Sequence, residues 1–165
     1  MSLNNLALHL SYQYNQLGAM EGLEAAIVLN REALHLRPQG HPDWSMSLDN
    51  LALHLTSWYD QLGVMEDLNE AIVLSREALH LHPQGNINRS MLLNNLALHL
   101  SHQYDQLSVM EDLEGAIFLD REALHLRPQG HPDWSMLLNN LALHLATQYD
   151  QLGVMEDLDE AIVLG

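Results

Sequence analysis

The residues best equipped for chemistry in this chain are its 11 histidines and 22 acidic groups. The histidines recur in columns: His9, His54, His99 and His144; His35, His80 and His125; His41 and His131. Imidazoles can ligate zinc or carry protons. A zinc ion draws its nitrogens to about 2.0–2.1 Å from one centre, whereas equivalent positions on neighbouring packed helices stand on the order of 10 Å apart. His80 and His82 fall on different faces of a helix, and no HExxH pair occurs. The paired carboxylates Glu66-Asp67 and Glu111-Asp112 sit where helices open, and there they complement the positive end of the helix dipole. A catalytic pair would need a buried cleft. The glycines are single and close turns, so no phosphate loop is present, and serine and histidine form no plausible triad. No cysteine occurs, which excludes disulfides, thiolate metal sites and thiol nucleophiles. The expectation is a protein that is not an enzyme and uses no metal or cofactor, with histidines that are amphipathic side chains copied by duplication.

Composition narrows the partners. Apolar residues make up 47% of the 165, mostly Leu and Ala, which favour helices. The net charge is −16, and the six basic residues are all Arg. Nucleic acid needs clustered Lys and Arg, and an anionic membrane would repel such a chain. No apolar run approaches the roughly 18 residues of a membrane span. The start, Met1-Ser2-Leu3-Asn4-Asn5, lacks the basic region of a signal peptide. The expected setting is soluble, intracellular and cytoplasmic.

Whatever the chain does, repetition positions it. Leu-Asn-Asn-Leu-Ala-Leu-His-Leu begins at Leu3, Leu93 and Leu138, and a copy with Asp49 for the first Asn begins at Leu48; the starts are 45 apart (48−3, 93−48, 138−93). The repeats are 3–47, 48–92, 93–137 and an incomplete 138–165 within one array, 1–165. Repeats one and three differ at nine positions, so each repeat should take nearly the same structure and the fold should be a stack.

Each repeat reads as two helices. In repeat four, Leu138, Leu141, Ala142, Leu145, Tyr149 and Leu152 form one helical stripe. In repeat two this helix opens at His41-Pro42-Asp43-Trp44 and ends at Gly63. The second helix starts near Met65 and stops at His82-Pro83. It has two apolar edges, one with Met65, Leu68, Ile72 and Leu79, the other with Ala71, Leu74, Ala78 and Leu81. A helix apolar on two sides packs against two neighbours, here its own first helix and that of the next repeat. The fold expected is all-α: an α/α superhelical solenoid with seven full helices and a shortened eighth. Glu21, Glu66, Asp67, Glu111, Asp112, Glu156 and Asp157 should open second helices. The junction of repeats two and three should be looser. It reads Asn86-Ile87-Asn88-Arg89 where others read His-Pro-Asp-Trp, with Asn86 left to cap the helix.

At these residues the chain resembles the tetratricopeptide repeat. The matching pattern is Leu6-Ala7, Ala26, Ala33 and Pro38, recurring as Leu51-Ala52, Ala71, Ala78, Pro83 and as Leu96-Ala97, Ala116, Ala123, Pro128. Leu-Asn-Asn-Leu-Ala after His-Pro-Asp looks like the kinesin-light-chain subtype, and closer still to long repeats of fungal proteins. The period of 45 exceeds the usual ~34, and the family's usual aromatic is Asn30, Ser75 and Asp120 here. The resemblance implies a helix-turn-helix array that binds proteins, with first helices lining a concave groove and second helices on the convex side.

Opposite the core stripe, the first helices carry four rows. They are Asn5/Asn50/Asn95/Asn140, Leu8/Leu53/Leu98/Leu143, Tyr12/Ser57/His102/Thr147 and Asn15/Asp60/Asp105/Asp150. The Asn row offers amides to a peptide backbone, and the Leu row an apolar strip, or else contact between neighbouring first helices. The Tyr12 row differs in every repeat, as a recognition surface would, or as a solvated column free to drift. The acidic row favours a neutral or basic protein or peptide segment. The function expected is a protein-interaction scaffold. The alternative is an architectural spacer that self-assembles, since uncapped ends invite head-to-tail association.

Overall fold

The computed structural model describes residues 5–6, 8–10, 20–37, 40–41, 43–82, 88–127 and 129–152. Among them every regular element is helical, with no strand. Residues 5–6 and 8–10 are helical, and six further helices follow. They are α1 (Met20–Leu36), α2 (Trp44–Leu62), α3 (Met65–Leu81), α4 (Arg89–Leu107), α5 (Met110–His125) and α6 (Trp134–Leu152). Among the described residues, the first helices α2, α4 and α6 are 19 residues long and the second helices α1, α3 and α5 are 16 or 17. The eighth helix expected from the sequence lies in 153–165, outside the described residues.

The helix limits follow local chemistry. Asp43 occupies the N-cap position of α2 without a side-chain cap, and its carbonyl accepts the Ser47 N–H at 3.0 Å. The carbonyl of His41 accepts the Trp44 N–H at 2.9 Å, and His131 does the same for Trp134 at 2.9 Å. The capping position of α4 is Asn88, in helical conformation and without a side-chain cap. Asn86, expected to cap this helix, lies outside the described residues. At the other end of α2, Gly63 takes φ +70° and donates its N–H to the Tyr59 carbonyl at 2.7 Å, which closes the helix in left-handed conformation. The acidic openings stand where expected: Glu21, Glu66 and Glu111 are exposed in the first turns of α1, α3 and α5, and Asp67 and Asp112 are half-buried there. Glu156 and Asp157 lie outside the described residues.

The chain divides into two compact units, Met1–His82 and Pro83–Gly165. The division falls at the junction whose sequence departs from the others. In the first unit α2 packs on α3, its partner across a two-residue link, and on α1. In the second, α5 packs likewise on α4 and on α6. In the second unit the second helix therefore serves two neighbours, as two apolar edges require. The first unit's core joins Leu23, Ile27, Leu51, Ala52, Leu55 and Ala71, with Met20, Leu34, Trp58 and Leu74 packed against it. Ala26, Ala52, Ala71, Ala97 and Ala116 are fully buried, and their small side chains let the backbones approach. Two parts of the expected core are exposed instead. Leu62, Leu107 and Leu152 end the first-helix stripe in solvent, and Leu81 does so on α3. Each is the last residue of its helix.

Ser108 holds the place of Gly63, 45 residues on, with φ +53° and its N–H on the Tyr104 carbonyl at 2.7 Å. A side chain in this conformation costs about 1 kcal/mol, and a Cβ built at Gly63 meets nothing within 4 Å. Backbone strain alone then separates the two turns. Ser108→Gly should stabilise the protein by about 0.5–1 kcal/mol in urea denaturation, and Gly63→Ser should destabilise it by a similar amount. A Ser108→Gly variant less stable than the parent would contradict this.

Candidate functional site

The first-helix rows are only partly a free surface. In the Leu row, Leu8 is 38% exposed, Leu53 39% and Leu143 62%, while Leu98 is half-buried. An apolar strip open to solvent is thus present in both units. In the Asn row, Asn5 is exposed, Asn50 and Asn140 are half-buried and Asn95 is buried. The Asn140 Nδ2 donates to Asn94 Oδ1 at 2.7 Å, so part of this amide capacity is spent between first helices of the second unit. Of the variable row, Tyr12 lies outside the described residues, and Ser57, His102 and Thr147 are half-buried. The Ser57 and Thr147 hydroxyls both donate to carbonyls four residues back, those of Leu53 and Leu143, at 3.0 Å. Asp60, Asp105 and Asp150 are all exposed.

The histidine columns do three different things, where the sequence suggested simple duplication. His35, His80 and His125 are exposed in the last turns of second helices, near the negative ends of their dipoles. His41 and His131 cap turns: each Nδ1 accepts the backbone N–H two residues on, from Asp43 at 3.1 Å and Asp133 at 3.2 Å.

The third column is buried except for His9, which is exposed. His54, His99 and His144 lie in the core, and two of them meet a polar side chain of the preceding second helix, 24 residues earlier. The Asn30 Nδ2 donates to His54 Nδ1 at 2.7 Å. The His144 Nδ1 lies 2.7 Å from Asp120 Oδ2, the imidazole donating. The two bonds run in opposite senses. An amide donor requires His54 to be unprotonated at Nδ1, whereas the Asp120 carboxylate accepts a hydrogen bond from an N–H at His144 Nδ1. Burial pushes His54 down to about 4. Burial, and then the neighbouring charge of His102, does the same to His99. Burial raises Asp120 above the usual carboxylate range, against the hydrogen bond and charge of His144. Ser75, which precedes His99 by the same 24 residues, is also buried. The sequence carried a signal for this ladder. Asn30, Ser75 and Asp120 are polar at a position that recurs inside the second helices, and a buried polar position demands a partner.

The turn 37–43 is clasped by charge. Arg37 donates from Nη1 to Ser47 Oγ and places Nη2 3.9 Å from Asp43. At the equivalent turn, Arg127 sets Nη2 3.3 Å from Asp133 and Nη1 2.7 Å from His131 Nε2, and donates from Nε to Ser90 Oγ at 2.8 Å. In repeat two the same positions read His82, Asn86 and Asn88, so both halves of the clasp are replaced together. Among the described residues no group of three or more His, Asp and Glu is placed to hold a metal, and no helix is long and apolar enough to cross a membrane.

No protein-family model matches the chain, and no curated protein matches it. Solved structures do. BtubC (BKLC) from P. vanneervenii superposes with a TM-score of 0.68 at 19% identity, over 98% of this chain and 61% of that one. This chain therefore spans less than two thirds of BtubC. The de novo designed helical repeat protein DHR64 gives 0.52 at 22% identity, over 98% of this chain and 88% of that one. The DHF58 filament gives 0.57 at 18%, over 98% and 87%. The fold is that of helical repeat proteins.

The ladder makes stability depend on pH. His54 and His99 bind a proton at 6.5 when unfolded but only near 4 when folded. Their contribution is complete above about pH 6.5 and is lost as pH falls towards 4, at up to about 1.4 kcal/mol per pH unit for each group. Asp120, raised in the fold, acts in the opposite sense. Urea denaturation of Asp120→Asn should therefore show the histidine effect without the opposing Asp120, and flat stability from pH 7 to 4.5 would refute it. At pH 7, Asp120→Asn recreates the Asn30–His54 pair and should cost less than about 1 kcal/mol, while Asp120→Ala leaves a buried imidazole unpaired and should cost about 3.

Proposed function

We propose that the chain is a protein-binding scaffold of tetratricopeptide type, not an enzyme, that holds a neutral or basic peptide or helix against its first helices. The observation that carries this reading is the exposed Leu8, Leu53 and Leu143 of one row, set at multiples of 45 residues, while Leu51, Leu55, Leu141 and Leu145 of the same first helices are buried. Repeated apolar anchors at fixed spacing suit the apolar face of a partner helix or the alternate side chains of an extended peptide. Asp60, Asp105 and Asp150 stand exposed three positions beyond the variable row and would attract basic flanks. The Asn row contributes less than its composition promised, because Asn140 is already bonded and Asn95 is buried. A cytoplasmic setting belongs to the same reading.

A second reading, self-assembly, has its own observation. Leu6 is 39% exposed, whereas Leu51, Leu96 and Leu141 of the same column are buried. A second copy could cover it head to tail, a contact that propagates. The DHF58 neighbour is a filament.

Peptide display against the purified protein separates the two. The scaffold reading expects enrichment of apolar sequences with basic flanks, and Leu53→Asp with Leu143→Asp should weaken their binding by about tenfold or more while helicity is kept. Unchanged binding in that variant would sink it. For self-assembly, light scattering should show mass rising with protein concentration, and more so at high salt, which screens the −16 charge. A monomer throughout that range would exclude it.

A further inference from the structure

A cleft of about 240 Å³ opens in the first unit where the start of α2 meets the end of α3. Gly40, His41, Trp44, Ser45, Leu81 and His82 line it. Ser45 is only 5% exposed, and its Oγ, buried, has no hydrogen-bond partner. A buried hydroxyl without a partner is costly, so the site is left wanting a polar group.

The second unit shows which group fits. Ser90 stands 45 residues after Ser45, as second residue of α4 where Ser45 is second residue of α2. Its Oγ accepts from Arg127 Nε at 2.8 Å. Arg127 stands 45 residues after His82, so repeat three fills with its own guanidinium the place that His82 borders in repeat two. The shorter imidazole leaves both the cleft and the unpaired Ser45. From this exchange we infer that the cleft binds a guanidinium, the side chain of an arginine in a partner peptide. Ser45 Oγ would accept a charge-assisted bond, as Ser90 does. The Trp44 indole offers a face on which a planar cation stacks. The last carbonyls of α3 present the negative end of its dipole, and Leu81 covers the stem. The positive end of α2 does not forbid this, because Arg127 makes the same bond at the first turn of α4. The −16 net charge draws such a ligand in. This site is separate from the first-helix rows and does not depend on their function.

N-acetyl-arginine amide and its neutral isostere, N-acetyl-citrulline amide, are the probes, followed by ¹H–¹⁵N NMR of the Trp44 indole and the Ser45 amide. The arginine probe should shift both signals saturably, and citrulline should bind about tenfold more weakly or worse. His82→Arg supplies the group internally and should weaken arginine binding at least about tenfold. His80→Arg, at an exposed position of the same helix with the same charge gain, should bind like the parent. Arg127→His should open a second cleft and add saturable shifts at Ser90, which decides the matter should His82→Arg lose helicity. Equal response to citrulline, or parental binding by a folded His82→Arg, would overturn the inference. So would shifts confined to Asp60, Asp105 and Asp150 that vanish in salt.

Discussion

The second helix of each repeat is apolar on two sides, and that requirement organises the rest. A single helix pair covers only one side, so the repeat must find its other cover in the following first helix. Ala116 and Ala123 show what this demands, since both are fully buried on α5, a second helix that packs on α4 and on α6. Larger side chains at these positions would separate backbones that the 45-residue period brings together. A fully buried leucine contributes about 1.5–3 kcal/mol, and these contributions arise almost wholly between elements adjacent in sequence. Stability is accordingly local and repeated.

Into that apolar seam the chain inserts polar pairs. Asn30–His54 and Asp120–His144 occupy equivalent places with different chemistry. An amide-imidazole bond stays neutral, whereas the carboxylate-imidazole bond invites charge into the core, and burial resists it by raising Asp120. Neither pair is there for strength, because well-packed apolar groups of the same size do at least as well. What the pairs fix is alignment. A second helix that slid by one turn against its neighbour would bury an unpaired imidazole at each of these junctions. Leucine against leucine imposes no comparable penalty.

The fold was legible because period and stripe are redundant signals. Four copies of one pattern leave little doubt about helix type, and Gly63 and the acidic first turns mark limits that the structure reproduces. The exposed Leu53 and Leu143 were also readable from angular position alone. The histidines were not, because a column read along the sequence shows only that a residue recurs. His54 earns its meaning from Asn30 on another helix, and no spacing rule within one helix connects them. The same blindness hid the half-spent Asn row, since the Asn94–Asn140 bond joins two first helices. Periodicity finds faces; it does not find what each face meets.

One further difference between repeats shows how little sequence change is needed to redirect a charge. Arg37 and Arg127 are equivalent, yet Arg37 bonds Ser47 and Arg127 bonds Ser90. Position 47 becomes Leu137 in the later copy, fully buried and with no oxygen to accept. A guanidinium there must satisfy its donors elsewhere, and the nearest buried hydroxyl belongs to the first turn of the preceding first helix. That turn is then filled from within, whereas the turn holding Ser45 faces His82 and stays open. Leucine for serine at one end of the repeat thus accompanies the guanidinium's change of partner, and histidine for arginine at the other accompanies the cleft at Ser45. In an array of near-identical parts, such exchanges give individual repeats separate surfaces without disturbing the seam that stacks them.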